Sequence, residues 1–599
     1  MQHWHIWIDT GGTFTDGMAI APDGAIVRIK VLSNSTLRGI VTQRTGAGLY
    51  QIEQQWNCPE DIFAGYRFRL LDGADGSALV QQILFSPTEP HKATLRLDRD
   101  LPVSAAAGFE ISAGEEAPVL AARIATRTSL HRSLPPLLMR LGTTKGTNAL
   151  LERKGAPVTL FITKGLADLP AIGTQQRPHL FQLDVPPPEL LFEQVIEVDE
   201  RLAANGTPLL VPDEQHVADL AQQTPPGHSV AIALLHSYRN DAHELQLAAH
   251  LKNRGCRYIS RSSELSQAIQ LLPRAQTAIV NAYLEPVLDA YLSSIRGSIG
   301  DAALHIMTSA GGLVRAVHYR PKDSLLSGPA GGVVGAAHIA RQLGFERILT
   351  LDMGGTSTDC ARYDGRYDYR FLTRVGQAEM LSPTLDIETV AAGGGSICSF
   401  DGRKLCVGPE SAGAWPGPAC YGAGGPLSIT DVNLLLGKMQ PEAMGIPIFR
   451  ERAEAALTAI RNQIREAGGA HYSEEELLRG FEQIADERMA AAIRRISVAR
   501  GFDPRDYALL AFGGAGGLHA CRVAELLGIA TVLLPYDAGL LSAYGIGQAR
   551  VERFAERQVL ELLDEAYPNL PGILWQLRAE AEAALNAEGF ASQEIEALH

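Results

Sequence analysis

The sequence predicts an α/β protein organised around an internal duplication, and three observations predict it. Asp9-Thr10-Gly11-Gly12-Thr13-Phe14-Thr15-Asp16 and Asp352-Met353-Gly354-Gly355-Thr356-Ser357-Thr358-Asp359 share one pattern, D-x-G-G-T-x-T-D, with six identical positions of eight. Each follows an apolar run, 3–9 and 347–351, that reads as a buried strand. Between the two copies, short apolar runs alternate with helical patterns, the layout of an α/β class.

The opening layout is strand, glycine turn, strand, turn, strand. Met18 to Ala21 and Ile26 to Val31 are the second and third strands, joined by Pro22-Asp23-Gly24, a hairpin-type turn. The second copy repeats it, with 359–363, a turn at Asp364-Gly365, and 367–371 as its third strand. Two copies of one supersecondary unit argue for a duplicated fold. Residues 34–55 and 115–132 read as helical, 157–163 and 229–235 as buried strands, 242–252 and 275–298 as helices, and 304–308 as a strand. Residues 381–430 are rich in Gly and Pro and read as a long loop, too long to be filler in a compact domain. Residues 474–498 form an amphipathic helix with Leu478, Phe481, Ile484, Ala485, Met489, Ile493 and Ile496 on one face. Strand 507–512 then enters a third glycine turn, Gly513-Gly514-Ala515-Gly516-Gly517, followed by a helix through Leu527, and 560–599 is helical and charged.

Composition narrows the class. At 599 residues the chain holds several domains. Its 46% hydrophobic content is that of a globular protein. A net charge of −14 with no basic run argues against nucleic acid as partner. The N-terminus lacks a signal-peptide pattern, and no apolar stretch is long enough to span a bilayer, so a cytoplasmic location without membrane contact is expected. Of seven cysteines without a C-x-x-C pair, most read as core residues in a reducing compartment. Cys420, in a Gly/Pro-rich stretch, is expected to pack rather than react.

Glycines free backbone N–H groups to face an anion, and neighbouring carboxylates can face a metal or its waters. Two such turns suit phosphates with magnesium, and a third suits a flat adenosine. Rival motifs fail: there is no G-x-x-x-x-G-K-[ST], no H-E-x-x-H and no G-x-S-x-G, and His519 stands where a dinucleotide fingerprint needs a small residue. A single Gly-Gly-Thr turn is more often a plain hairpin; its duplicate in a matching strand context reverses that preference. Gly513 to Gly517 alone would read as tight strand–helix packing. Ser327-Gly328-Pro329-Ala330-Gly331-Gly332 before an apolar helix reads as a helix entry that could also hold an anion. His519 reads as a helix-start residue rather than a metal ligand, and the charges of the 173–184 loop as solvated.

The two turns with strand-rich flanks resemble the acetate and sugar kinase, heat-shock chaperone and actin superfamily. That resemblance implies a duplicated actin-like ATPase fold with two lobes around an ATP cleft. More closely, the chain resembles the hydantoinase A/5-oxoprolinase family. The carrying stretches are 142–155, 172–175, 326–335, 352–359, 385–396, 407–421 and 512–520, within a likeness over 5–550. Ala391-Ala392, Val407 to Ser411, and 172–175 followed by 180–183 point to the 5-oxoprolinase branch. Lys145-Gly146 stands where many members of that family carry two small apolar residues, and Glu388 where a small polar residue or histidine is usual; Lys145 either contacts nucleotide or lies at the surface.

The resemblance implies an A-type half that uses ATP to phosphorylate the lactam carbonyl of 5-oxo-L-proline, for ring opening to L-glutamate with a B-type half, fused or separate. A lactam is a poor electrophile because its nitrogen donates into the carbonyl, and phosphorylation of the oxygen activates it. ATP and Mg2+ are the expected cofactors, with a monovalent cation as a further candidate, and a homo-oligomer is expected. Asp9, Gly11, Gly12, Thr13 and Thr15 form one phosphate turn and Asp352, Gly354, Gly355, Thr356 and Thr358 the other. Asp9 and Asp352 are the metal candidates, and Asp16 and Asp359 join them as catalytic candidates through metal waters or the attacked oxygen. Gly513, Gly514, Gly516 and Gly517 line adenosine. Thr174, Gln175, Arg177, Glu410 and Ser411 are the substrate candidates. The expected regions are 3–205, 206–550 and a helical 551–599 that begins a further subdomain. Alternatives are the ATP-binding subunit of a hydantoin or N-methylhydantoin hydrolase or of a ketone carboxylase, and an actin-like ATP-switched binding module.

Overall fold

The structure, a computed structural model, describes residues 3–56, 58, 61–71, 77–89, 91–102, 107–176, 181, 183–184, 188–376, 378–413, 415–441, 448–468 and 471–598. The chain forms two compact units that interleave in sequence. One holds residues 1–138, 328–368 and 385–548, the other 139–327, 369–384 and 549–599.

Both D-x-G-G-T-x-T-D copies lie in the first unit. Strands Trp4–Thr10, Phe14–Ile20 and Ile26–Leu32 run antiparallel, with Asp9 opposite Asp16 and Thr10 opposite Thr15. Strands Arg347–Met353 and Thr358–Asp364 repeat the arrangement, with Asp352 opposite Asp359 and Met353 opposite Thr358. The turns close alike: Gly11 N–H donates to Phe14 O and Gly354 N–H to Ser357 O, both at 3.0 Å. The duplication read from the sequence is therefore a duplication of register and hydrogen bonding.

The second copy differs from expectation in its third strand. Tyr369–Val375 does not return onto the sheet; it pairs in a hairpin with Ala378–Leu385, grouped with the other unit. Ile387–Val390 takes the third position, pairing with Thr358–Asp364. On the other side Arg347–Met353 pairs in parallel with Ala508–Phe512, which places Asp352 beside Phe512 and so beside the third glycine turn.

Residues 34–55, expected as helix, are strands Leu37–Gly46 and Leu49–Gln54. With Lys92–Leu97, Ser77–Phe85, Arg67–Leu70 and Ala107–Ser112 they close a six-stranded barrel. Leu37 and Val41 are buried on one face with Gly39 between them, and Ile40 is exposed on the other, so the apolar residues of this strand fall at helix-like spacing in the sequence; the register shifts at Val41/Gln43 and Arg44/Gly46 follow them. The 381–430 stretch is also less irregular than expected: Ser396–Phe400 and Leu405–Ser411 form a hairpin within it.

Helix Glu474–Ile496 agrees with its predicted face, and Ser473 and Glu476 form a capping box at its start. Leu478, Phe481, Ala485, Met489, Ile493 and Ile496 are buried in a core that also takes in Leu349, Leu351 and Met353 behind the second turn. In the other unit, Gln194–Val198, Val158–Thr163, Ser229–Ala233 and Ile259–Arg261 form a parallel sheet in that order, packed by helix Leu271–Ile299 and by Ala242–Asn253. No helix among the described residues is long and apolar enough to cross a membrane.

The cysteines of the core are shielded. Cys58, Cys360, Cys398 and Cys420 are buried, whereas Cys521 is exposed. Burial pushes the Cys420 thiol upward, away from the reactive thiolate. A thiol-specific reagent should modify Cys521 in the native protein and reach Cys420 only on unfolding, a pattern that peptide mapping after timed labelling would read directly. Rapid native labelling of Cys420 would contradict the packing role.

Candidate functional site

The strand–turn–strand register sets the chemistry of the first unit. Asp9 and Asp352 each stand near the end of the first strand of their copy, immediately before the glycines. Asp9 Oδ1 is buried and has no hydrogen-bond partner. Its carboxyl is pushed up to about 7, first by burial and then by the charge of Asp16, with Lys30 opposing. Burial, with the charges of Asp359 and Asp9, holds the Asp352 carboxyl well above the usual carboxylate range. The two turns therefore bring together carboxylates that disfavour each other's ionisation.

Their strand partners are already engaged. Lys30 Nζ donates to Asp16 Oδ1 at 2.6 Å. Thr389 Oγ1 donates to Asp359 Oδ1 at 2.5 Å. Burial raises both carboxyls, against the Lys30 charge at Asp16 and against the Thr389 hydrogen bond at Asp359.

The threonines divide into two kinds. Thr13 and Thr356 are exposed at the turn tips. Thr15 and Thr358 are fully buried. Thr15 Oγ1 shares a 3.0 Å hydrogen bond with Ser33 Oγ, which donates on to Gly11 O at 2.8 Å. Thr358 Oγ1 donates to Ala392 O. The buried hydroxyls thus shape the turns, while the tip hydroxyls and the N–H groups of Gly12, Thr13, Gly355 and Thr356 remain for a ligand.

Two further glycine segments complete the wall around the second turn. Gly394 N–H donates to Gly354 O at 3.0 Å and Gly395 N–H to Gly355 O at 2.7 Å. In the sequence this Gly393-Gly394-Gly395 run reads as part of a long loop and of a stretch that carries the family likeness, with no sign of its latch onto Gly354-Gly355; three consecutive glycines ahead of a strand are the signal for it. On the other side, Gly513 follows strand Ala508–Phe512 at φ +79°, and Ala515 N–H donates to Met353 O at 3.1 Å. Gly514 and Gly355 face open space, and Gly517 has only the Leu534 side chain nearby. A Cβ at Gly328, at the head of helix Ser327–Gln342, would lie 3.3 Å from Asp9 Oδ1, so the first turn of that helix abuts the same carboxylate.

The substrate candidates separate. Glu410 is exposed, and Ser411 beside it accepts from Gly413 N–H and lies against Gly395. Thr174 and Gln175 are exposed after the short helix Leu169–Ile172 and belong to the other unit. Arg177 lies outside the described residues. Lys145 opens helix Lys145–Leu151 with its ammonium over the Tyr291 ring at 5.6 Å. Glu388 accepts from Arg495 at 2.7 Å. His519 is buried between Asp486 and Asn433.

A cation is the group this arrangement fits: an orphaned buried carboxylate oxygen and like charges set close together are both relieved by a positive ion. No group of three or more metal-ligating side chains occurs among the described residues. Mg2+ accommodates that, since it commonly takes one or two carboxylates and completes its shell with phosphate oxygens and water.

Comparison with known proteins shows the family. The sequence profile of the hydantoinase/oxoprolinase family matches residues 274–554, and that of the hydantoinase/oxoprolinase N-terminal region matches 115–255. A 5-oxoprolinase of Dictyostelium discoideum is 36% identical over 76% of this chain, which spans 41% of that protein. The chain thus covers about two fifths of that relative's length. Caprolactamase subunit alpha of Pseudomonas jessenii is 34% identical over 75% of this chain and 67% of its own length. The crystal structure of the ATP-dependent caprolactamase from Pseudomonas jessenii superposes with a TM-score of 0.70 at 27% identity, covering 98% of this chain and 77% of that one. On the family profiles and these relatives, the chain is a member of the hydantoinase/oxoprolinase family.

Proposed function

We propose that the chain is the A-type half of an ATP-dependent cyclic amide hydrolase, binding ATP in its first unit and phosphorylating the lactam carbonyl of 5-oxo-L-proline. The observation that carries this reading is the pair Asp9 and Asp352, in matching registers before matching glycine turns, with the Gly513 turn hydrogen-bonded beside the second. Phosphoryl transfer demands positioning and charge neutralisation rather than a covalent nucleophile, and this site is made of backbone donors and carboxylates.

The backbone N–H groups of Gly12, Thr13, Gly355 and Thr356 and the tip hydroxyls of Thr13 and Thr356 would hold phosphate oxygens, with Gly11 and Gly354 closing the turns and Thr15 and Thr358 fixing them. Asp9 and Asp352 would hold Mg2+, which when bound neutralises phosphate charge. Gly514, Gly516 and Gly517 would leave room for adenosine, and Gly513 would hold that turn against Asp352. Asp16 and Asp359 would orient their partners across each hairpin, kept in place by Lys30 and Thr389. Glu410 and Ser411, beside Gly395, are the substrate candidates of this unit. A B-type half, fused or separate, would complete ring opening.

A second reading, a larger lactam, is favoured by the likeness to caprolactamase subunit alpha. Calorimetric titration with Mg·ATP should give saturable binding. Phosphate release, with a B-type half present, should be stimulated by 5-oxo-L-proline above hydantoin and ε-caprolactam. Stimulation by caprolactam alone would select the second reading. Binding of ATP without stimulation by any lactam or hydantoin would remove the hydrolase reading.

A further inference from the structure

We propose that Asn433, His519 and Asp486 form a positioning relay that, through helix Ile429–Leu435, holds the second phosphate turn and the adenosine turn in register. The proposal rests on the nucleotide reading of those turns and deepens it by coupling the two sides of the site.

His519 is the fourth residue of helix Gly516–Leu527, which begins within the third glycine turn. Its Nδ1 lies 2.6 Å from Asp486 Oδ1 and its Nε2 lies 3.0 Å from Asn433 Nδ2. With an amide nitrogen facing Nε2, the ring accepts there and donates from Nδ1 to the carboxylate. All three side chains are at most 1% exposed. Lys438 Nζ donates to Leu518 O at 2.9 Å, a second grip on the same helix start.

Three residues before Asn433, at the start of the Ile429–Leu435 helix, Thr430 holds the other turn. Its N–H and its Oγ1 both donate to Gly394 O, at 2.7 and 2.9 Å. Gly394 N–H in turn donates to Gly354 O. The Ser428–Asp431 capping box fixes the helix at that end. A seven-residue helix therefore grips Gly354 through Gly394 at one end and the head of the Gly516–Leu527 helix through His519 near the other.

Stability alone does not account for the trio. Asn433 Oδ1 and Asp486 Oδ2 are buried without hydrogen-bond partners. Such groups carry a desolvation cost that three apolar side chains would avoid. What the trio supplies is a fixed spacing between helices: directional hydrogen bonds on both sides of one ring set the position of His519 in a way that apolar contacts do not.

The test crosses the two sides. Equilibrium constants for adenosine and for Mg·tripolyphosphate are measured separately by calorimetry on the full chain. Thr430→Val, which lies on the phosphate side, should weaken adenosine about fivefold as well as tripolyphosphate. His519→Gln and Asn433→Ser, on the adenosine side, should weaken tripolyphosphate by a similar factor. The Thr430→Val/His519→Gln double variant should lose less than the product of the single effects, as expected for one coupled path. Effects confined to the ligand on each variant's own side, at unchanged unfolding midpoints, would overturn the relay. If His519→Gln does not fold, Asn433→Ser and Asp486→Asn carry the same comparison. A wild-type chain that binds neither these ligands nor Mg·ATP would overturn the nucleotide reading itself and the relay with it, a result distinct from binding that responds only locally.

Discussion

Replacing Asp9 or Asp352 by asparagine is expected to lower ATP turnover by about a hundredfold to a thousandfold while making the ligand-free protein more stable above pH 7. The two effects have one cause. Asp9 is held at about 7 against an ordinary value of 3.8, because its ionised form is buried beside Asp16. A carboxyl raised on folding contributes stability that is fully present below the ordinary value and is lost as pH rises through the folded value. The wild-type chain therefore loses stability between about pH 4 and pH 7 on account of Asp9, by roughly 4 kcal/mol at about 1.4 kcal/mol per unit. Asp9→Asn cannot ionise, so its unfolding midpoint should exceed that of wild type at pH 8 and approach it at pH 4. Asp352→Asn should behave in the same direction, since Asp352 is raised by burial, Asp359 and Asp9. A divalent cation bound at these carboxylates lowers their pKa, so stabilisation of the wild type by Mg·ATP should grow from pH 6 to pH 8 and be blunted in Asp9→Asn. Urea midpoints across that range, beside phosphate release, measure both. Full turnover in either asparagine variant would remove that carboxylate from the site.

How far the sequence carried this picture depends on what each feature requires. The paired turns were legible because six matching positions of eight after two apolar runs leave little else for the backbone to do, and the hydrogen bonds that close them are the same. The Glu474–Ile496 helix was legible because its apolar face follows one period without interruption. The barrel was not, because in Leu37–Gly46 an exposed Ile40 stands beside the buried Val41 and the bulged residues 42–45 that follow are all polar and exposed, so no apolar alternation shows. The third strand of the second copy was not, because 367–371 and 387–390 are both plausible short strands and only non-local pairing decides between them. At the site, residue types announced donors and carboxylates. The division of labour among them was invisible: that Thr15 and Thr358 spend their hydroxyls on Ser33 and Ala392 depends on what folds against them. The Gly393–Gly395 latch and the Asn433–His519–Asp486 trio are likewise contacts across long sequence separation, and composition cannot show them.

Among the glycines of the site, substitution should separate those that the fold needs from those that a ligand needs. A Cβ at Gly513 would sit 2.5 Å from both Asp352 Oδ1 and Met353 O, and its φ of +79° is strained for any L side chain. A Cβ at Gly393 would meet Thr356 C at 2.6 Å and the Thr356 and Ser357 nitrogens at 2.7 Å. Backbone atoms of the second turn lie in both sets and cannot yield without moving the turn, and at Gly513 the Asp352 carboxylate would be pushed aside as well. Gly513→Ala and Gly393→Ala should each lose about 2–4 kcal/mol, from overpacking at both and left-handed strain at the first, and lose nucleotide binding because the turn itself moves. Gly514 and Gly355 are the opposite case. Neither has a heavy atom within 4 Å of an added Cβ, and neither has a left-handed φ. Gly514→Val and Gly355→Val should therefore leave the free energy of unfolding within about 1 kcal/mol of wild type. If adenosine and phosphate occupy that space, the same two substitutions should weaken Mg·ATP by at least tenfold, and Gly514→Val should weaken adenosine alone. Stability measured by urea unfolding and affinity measured by calorimetry on the same four variants place each glycine on one side or the other. Gly514→Val binding ATP like wild type would mean that the space beside Gly514 is not where adenosine lies, and the third turn would then revert to what its strand–helix setting alone suggests, a close-packed connection that braces Asp352.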